Sequence, residues 1–218
     1  TTNYILSRMA QEGAAYDEVL KDAQDLGYAE ADPAADVEGF DAADKVAILA
    51  GLAFGGPVDR SAIPTNGISS LKSLDVDYAN KLGYGVKLLA IAERLSPESL
   101  RGESLPLAVR VQPTLVPDEH PLAGVNGVNN AILVEGEPIG RVMFYGPGAG
   151  AGPTASAVVA DILNIAGIQS MSEEKSLNLD PLLSAKSWRS CHLAEKKQIK
   201  KKNYIRLIAK DSPGVIGE

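Results

Sequence analysis

Near Gly83 the spacing of apolar residues changes from helical to alternating, and this change constrains the fold more than any other feature of the chain. Before it, Ile5, Leu6 and Met9, then Val19, Leu20, Ala23 and Leu26, recur three and four apart. That spacing predicts helices over about 3–12 and 16–26, with Gly13 as the break between them and Asp17 near the second start. A third helix is predicted over "FDAADKVAILAGLAF", residues 40–54, closed by Gly55-Gly56-Pro57, and a short fourth near 76–82. After the change, "GVKLLAIAERL" (85–95), "LPLAVRVQPTLV" (105–116), "VNNAILVEG" (128–136) and "IGRVMFYGP" (139–147) are β-rich runs of period two. The last two read as a hairpin across "EGEP". A glycine turn, "GPGAGAG", then enters a helix over 153–166, with Pro153 at a tolerated first-turn position. Helices first, strands second and a closing helix predict an α+β domain: a mixed, largely antiparallel sheet with helices packed on one face.

Composition limits what such a domain can do. At 218 residues the chain can bury a sizeable core, and 45% hydrophobic with 22% charged residues is ordinary for a globular protein. A net charge of -7 argues against nucleic-acid binding, which needs a basic surface to displace counterions from phosphates. No apolar run reads as approaching the roughly 20 residues of a membrane span, and no signal peptide is visible, so a cytoplasmic location without membrane partners is expected. One cysteine, Cys191, with only His120 and His192 elsewhere, leaves too few soft ligands for structural zinc, and no metal site is expected. Cys191 itself reads as an incidental thiol. Residues 168–202, with "SMSEEKSLNLD" and the cationic run "EKKQIKKK", lack apolar periodicity and read as a solvated linker.

The chemistry concentrates in "GYAEADPAADVEGFDAADK", residues 27–45, which holds six carboxylates and one terminal cation. No register across Asp32, Asp36, Glu38 and Gly39 supplies the ligand spacing of an EF-hand, so calcium is rejected. Asp41 and Lys45 stand four apart, on one face of the predicted helix. Such a pair is most often a surface ion pair. Here Asp41 opens the helix, and "VAILAGLAF" beyond Lys45 is apolar on most sides, which predicts a buried helix. A lysine entering it would need Asp41 and a loop carboxylate such as Glu30 as partners, and burial set against those charges leaves it able to exchange a proton. Both readings stand at this point.

The glycine turn, "YGPGAGAG", superficially echoes a dinucleotide fingerprint, because glycines let backbone N–H groups approach an anion at a helix start. A true nucleotide unit continues into a second parallel strand, whereas this helix runs into the linker. A turn that needs positive φ angles and a ligand role remain equally open.

"TTNYILSRM", "GYAEADPAADVEGFDAADKVAILA" and "GPGAGAGPTASAVVADI", in that order and spacing, resemble the catalytic and dimerisation domain of homoserine dehydrogenases over about residues 1–166. "YIRLIAKDSPGVIGE" resembles the first strand and turn of an ACT regulatory module. Three segments follow: the resembling domain over 1–167, a linker over 168–202 and an ACT start over 203–218. The resemblance implies an oxidoreductase that interconverts L-aspartate 4-semialdehyde and L-homoserine with NAD(P), on the route to threonine and methionine. It implies Lys45 as the catalytic lysine that passes a proton to or from the substrate oxygen. It makes Glu30 and Asp41 substrate carboxylates, Asp36 a supporting or ammonium partner, and places Thr2 and Asn3 where a "GTTN" turn meets the site. Gly27, Gly148 and Gly150 match backbone positions that approach the cofactor or substrate.

The resembling family also carries an amino-terminal Rossmann domain that binds most of the nicotinamide dinucleotide. The chain begins at "TTNYILSRMAQEG" and ends at "NYIRLIAKDSPGVIGE", so both ends read as cut. The expectation is a substrate-binding, homodimerising portion, joined through its sheet and with little or no activity alone. A non-catalytic dimerisation or regulatory module is the competing expectation. It would show a self-complementary apolar sheet face and an acidic helix that only solvates a rim.

Overall fold

A computed structural model describes residues 1–95, 104–148, 150–171 and 190–209. The helical first part appears as α1 (Thr2–Glu12), α2 (Tyr16–Asp25), α3 (Ala34–Val37), α4 (Phe40–Phe54) and α5 (Ser73–Lys81). The alternating part gives β1 (Tyr84–Arg94), β2 (Ser104–Pro117), β3 (Asn129–Gly136) and β4 (Gly140–Pro147). Then come α6 (Ala151–Met171) and β5 (Ser190–Leu193). The α+β class is borne out, as two sheets rather than one: β1-β2-β5, and the hairpin β3-β4. β1 and β2 pair antiparallel, with Lys87 opposite Thr114, while β5 adds parallel to β2, so the first sheet is mixed.

Local chemistry explains the boundaries. α4 ends where expected because glycines in the left-handed region bracket it, Gly39 at φ 80° and Gly55 at φ 75°. Gly39 is doubly constrained, since a Cβ there would also lie 3.0 Å from Val111 Cγ1. α5 starts three residues before the predicted 76, because Asp75 reaches back to accept the Lys72 N–H at 3.1 Å. α6 starts before Pro153, which falls within the first turn, where a missing amide costs nothing, and Gly167 does not stop it.

Two apolar clusters build the core and share Leu88. Ile5, Leu6 and Met9 of α1 pack with Val19 and Ala23 of α2, Val76 and Ala79 of α5 and Val86 of β1. Ala43 and Val46 of α4 pack with Leu105, Leu107, Val109 and Val111 of β2, and half-buried Cys191 and Leu193 of β5 join them. At about 25 cal/mol per Å² of apolar surface removed from water, these two clusters are the main source of stability.

Three expectations need correction. Ser190–Leu193, inside the stretch read as a linker, is a strand, because Leu105↔Cys191 and Leu107↔Leu193 pairing brings it onto the core. Residues 203–209 form no strand, and 210–218, where the predicted turn lies, fall outside the described residues. The segment is instead tied to α5: Tyr204 donates its hydroxyl to Asp75 Oδ1 at 3.1 Å and Arg206 Nε lies 2.8 Å from the same oxygen. Third, Ala151–Ser170 is long and apolar enough to cross a membrane, with mean hydropathy 1.3, and none of it is buried. Its single charged residue, Asp161, is not enough to lower that average.

Candidate functional site

The acidic stretch is laid out by α2, α3 and α4 around the start of α1. Gly27, at φ 73°, turns the chain out of α2, and the Tyr28 N–H returns to the Ala23 carbonyl at 2.8 Å. This brings Tyr28 beside α1, where its ring meets Tyr4 edge-on with centroids 5.1 Å apart. The Thr1 hydroxyl lies 2.5 Å from the Tyr28 carbonyl and 2.6 Å from Asp36 Oδ2, and its one proton serves either acceptor. On the next helix Lys45 Nζ lies 2.5 Å from Asp41 Oδ2. The two halves adjoin, since α3, which carries Asp36, packs against α4, which carries Asp41 and Lys45.

Lys45 is not buried as the sequence suggested. Its side chain is 65% exposed and that of Asp41 44%. The cause is visible on α4: Ala43, Val46, Ala50 and Gly51 are buried, while Ile48, Leu49 and Leu52 are left open. Apolar residues on every side of a helix promised burial that the described residues supply on one side only.

The other acids divide by partner. Asp32 accepts the Ala34 N–H at 3.1 Å as a local turn. Asp44 pairs with Arg60, whose guanidinium also donates to the Phe40 carbonyl at 3.1 Å. Glu30 is exposed, and its backbone carbonyl accepts from Gln24 at 3.0 Å. A groove between α1 and α5, lined by Met9, Ala10, Ser73, Leu74, Asp77 and Asn80, contains none of the predicted site residues.

Asn3 faces another way. Its amide donates to the Asn129 carbonyl at 2.9 Å and the Gly127 carbonyl at 3.3 Å, and its Oδ1 accepts from Lys87 Nζ at 3.2 Å. Thr2 is half-buried in the first turn of α1. Thr1, next to the predicted Thr2, was missed, although its hydroxyl at a helix start was a readable signal. Lys87 was also missed, and its signal was a single charge inside the apolar strand run "GVKLLAIA".

The glycine turn serves the hairpin. A Cβ on Gly148 would fall 1.8 Å from Asn130 Nδ2, so glycine is required there by the close approach of that side chain. Asn130 takes the space beside Gly148, and two carboxylates, Asp36 and Asp41, stand beside Thr1 and Lys45. These residues do not fit the anionic part of a dinucleotide.

The homoserine dehydrogenase family model matches residues 1–163. The chain belongs to the homoserine dehydrogenase family. It is 55% identical over 217 residues to a homoserine dehydrogenase of Synechocystis sp., covering 100% of this chain and 49% of that protein. It is similar to the crystal structure of a homoserine dehydrogenase from Thiobacillus denitrificans, with TM-score 0.79 and 43% identity over 88% of this chain and 43% of that one. A hyperthermophilic archaeal homoserine dehydrogenase mutant in complex with NADPH matches at TM-score 0.55 and 28% identity, covering 74% of this chain and 43% of that one. The chain thus spans about half the length of the relatives it matches.

Proposed function

We propose that this chain is the substrate-binding and dimerising portion of an NAD(P)-dependent enzyme that interconverts L-aspartate 4-semialdehyde and L-homoserine. The observation that carries this reading is the Lys45–Asp41 pair, 2.5 Å apart, on a helix packed against the one that brings Asp36 to Thr1. The substrate carries an α-ammonium group beside a carbonyl or hydroxyl that must gain or lose a proton. Asp36, with Glu30 from the exposed loop, supplies anionic partners for the ammonium. Lys45, an ammonium held against Asp41, is a proton donor to the carbonyl oxygen as it becomes a hydroxyl, and takes the proton back in the reverse direction. Openness at Lys45 suits a residue that must meet a substrate. The hydride partner lies outside the set of residues described here. Thr2, Gly27 and Gly150 are kept in the proposal as walls of the same site.

Homoserine oxidation by the full-length protein tests this. Lys45→Ala and Lys45→Arg should lower kcat about 10²–10⁴-fold. Unchanged rates in either variant would remove the proton-transfer role.

The uncovered apolar surface supports a second copy as partner. Ile132 pairs with Phe144 across the hairpin, and both are exposed, as are Val158, Ile162 and Leu163 of α6. Phe144→Asp should shift the full-length protein toward monomer in sedimentation, and an unchanged dimer would exclude this face. Residues 203–218 are the start of an ACT regulatory module in this proposal.

A further inference from the structure

Lys87 is 8% exposed near the start of β1, the outer strand of the first sheet, and the role proposed for the site leaves it unused. Its three ammonium protons meet three neutral oxygens: Asn3 Oδ1 at 3.2 Å, Asn126 Oδ1 at 3.0 Å and the Val125 carbonyl. Buried cations are usually matched with a carboxylate, since leaving water costs several kcal/mol. Here burial alone pushes the lysine below its usual range. Such a group is retained at a cost, so what it holds in place becomes the question.

It holds two segments that are also joined by other polar contacts. Asn3 belongs to the first turn of α1, and Val125–Asn126 to the loop before β3. Ser7 joins them a second time: its Oγ donates to the Asn3 carbonyl at 2.7 Å and accepts the Gly127 N–H at 3.1 Å. Two residues before Asn3, Thr1 reaches Asp36. Four residues after Asn126, Asn130 fills the space beside Gly148. The ammonium therefore sits at the junction between the carboxylate wall and the loop that leads to the glycine turn.

We propose that Lys87 is a positioning residue for the substrate site: by binding Asn3 and the Val125–Asn126 loop together, it fixes the first turn of α1 so that Thr1 meets Asp36. It does not touch substrate. This inference rests on the proposed reading of the Thr1, Asp36, Asp41 and Lys45 cluster.

The test is steady-state kinetics of the full-length protein carrying Lys87→Met, an apolar side chain of similar length. Misplacing one hydrogen-bonded wall should raise KM for homoserine about tenfold, while kcat stays within about threefold and KM for the nucleotide is unchanged. A merely structural lysine would lower kcat through lost folded protein and leave KM alone, and that result overturns the proposal. Asn3→Ala, which also removes the amide's bonds to the Gly127 and Asn129 carbonyls, should raise KM at least as much, and the double variant should be no worse than Asn3→Ala, because the lysine acts through Asn3. Additive losses would overturn it as well. Where Lys87→Met does not fold, Asn126→Ala keeps the ammonium and removes one acceptor, and should raise KM about threefold; an unchanged KM counts against the proposal. Hydrogen exchange separates this from the function itself. Amides of 28–36 should exchange faster in the variant whether or not the unaltered protein oxidises homoserine, and unchanged exchange there overturns the positioning role. Absence of homoserine oxidation by the unaltered protein overturns the activity instead.

Discussion

Lys45 and Lys87 are treated in opposite ways by the same fold. Lys45 stands on α4, 65% exposed and beside a carboxylate, while Lys87 stands on β1, 8% exposed and among neutral oxygens. An exposed lysine with a counter-ion costs the fold almost nothing and is free to meet a ligand. A buried one without a counter-ion is expensive and must return its cost through the groups it binds. Under the proposed function, the difference separates a residue kept for chemistry from one kept for geometry.

The largest effect expected from this contrast is on rate. Lys45→Ala should lower kcat of the full-length protein about 10²–10⁴-fold, against no more than about threefold for Lys87→Met. Equal losses in kcat would erase the distinction. The next effect is on stability, with the order reversed. Lys87→Met takes the donor from the buried Val125 carbonyl, worth about 1–3 kcal/mol when unpaired, and from Asn3 Oδ1 and Asn126 Oδ1, which water reaches in part and which cost less. The relieved desolvation of the cation offsets part of this, so a net loss of about 2 kcal/mol is expected in denaturant unfolding. A variant as stable as the unaltered protein would show that Lys87 is not the group holding those segments.

A third, smaller effect is in pH. In the unfolded chain Lys87 keeps its proton up to its ordinary value of 10.5, and in the folded chain burial makes it release the proton at lower pH. Between these two points the unfolded state binds more protons, so stability contributed at this site rises with pH through the window below 10.5. The slope cannot exceed about 1.4 kcal/mol per pH unit for one group. Since Asn3, Asn126 and a backbone carbonyl do not titrate, subtracting the profile of Lys87→Met isolates it. A flat difference profile would contradict the burial of a titrating amine there.

What the sequence made legible follows the same division between local and long-range causes. α4 was readable to the residue because Gly39 and Gly55 mark its ends locally, and the β3-β4 hairpin because its turn and alternation lie within a short window. β5 was not, since four residues carry no period and its pairing with β2 spans more than eighty positions. Asp41 and Lys45 were joined from their spacing alone, as the ion pair bears out. The burial assigned to Lys45 failed because composition shows how apolar a helix is, without showing what covers it. Thr1 with Asp36, and Lys87 with Asn3, depend on contacts 35 and 84 residues apart. No local pattern encodes those.

The smallest expected effect is the one that most sharpens the contrast. Lys45→Ala removes an i,i+4 ion pair whose two side chains are 65% and 44% exposed. Water screens such a pair, and holding two mobile side chains together costs entropy, so its loss should change unfolding stability by less than about 0.5 kcal/mol. Measured beside Lys87→Met in one denaturant series, the two variants should differ by well over 1 kcal/mol, with the variant that destroys activity being the stable one. If Lys45→Ala proves as destabilising as Lys87→Met, then Lys45 is holding α4 against something that covers it in the whole protein. The residue would then join Lys87 as part of the frame, and the proton donor would have to be sought elsewhere around Thr1 and Asp36.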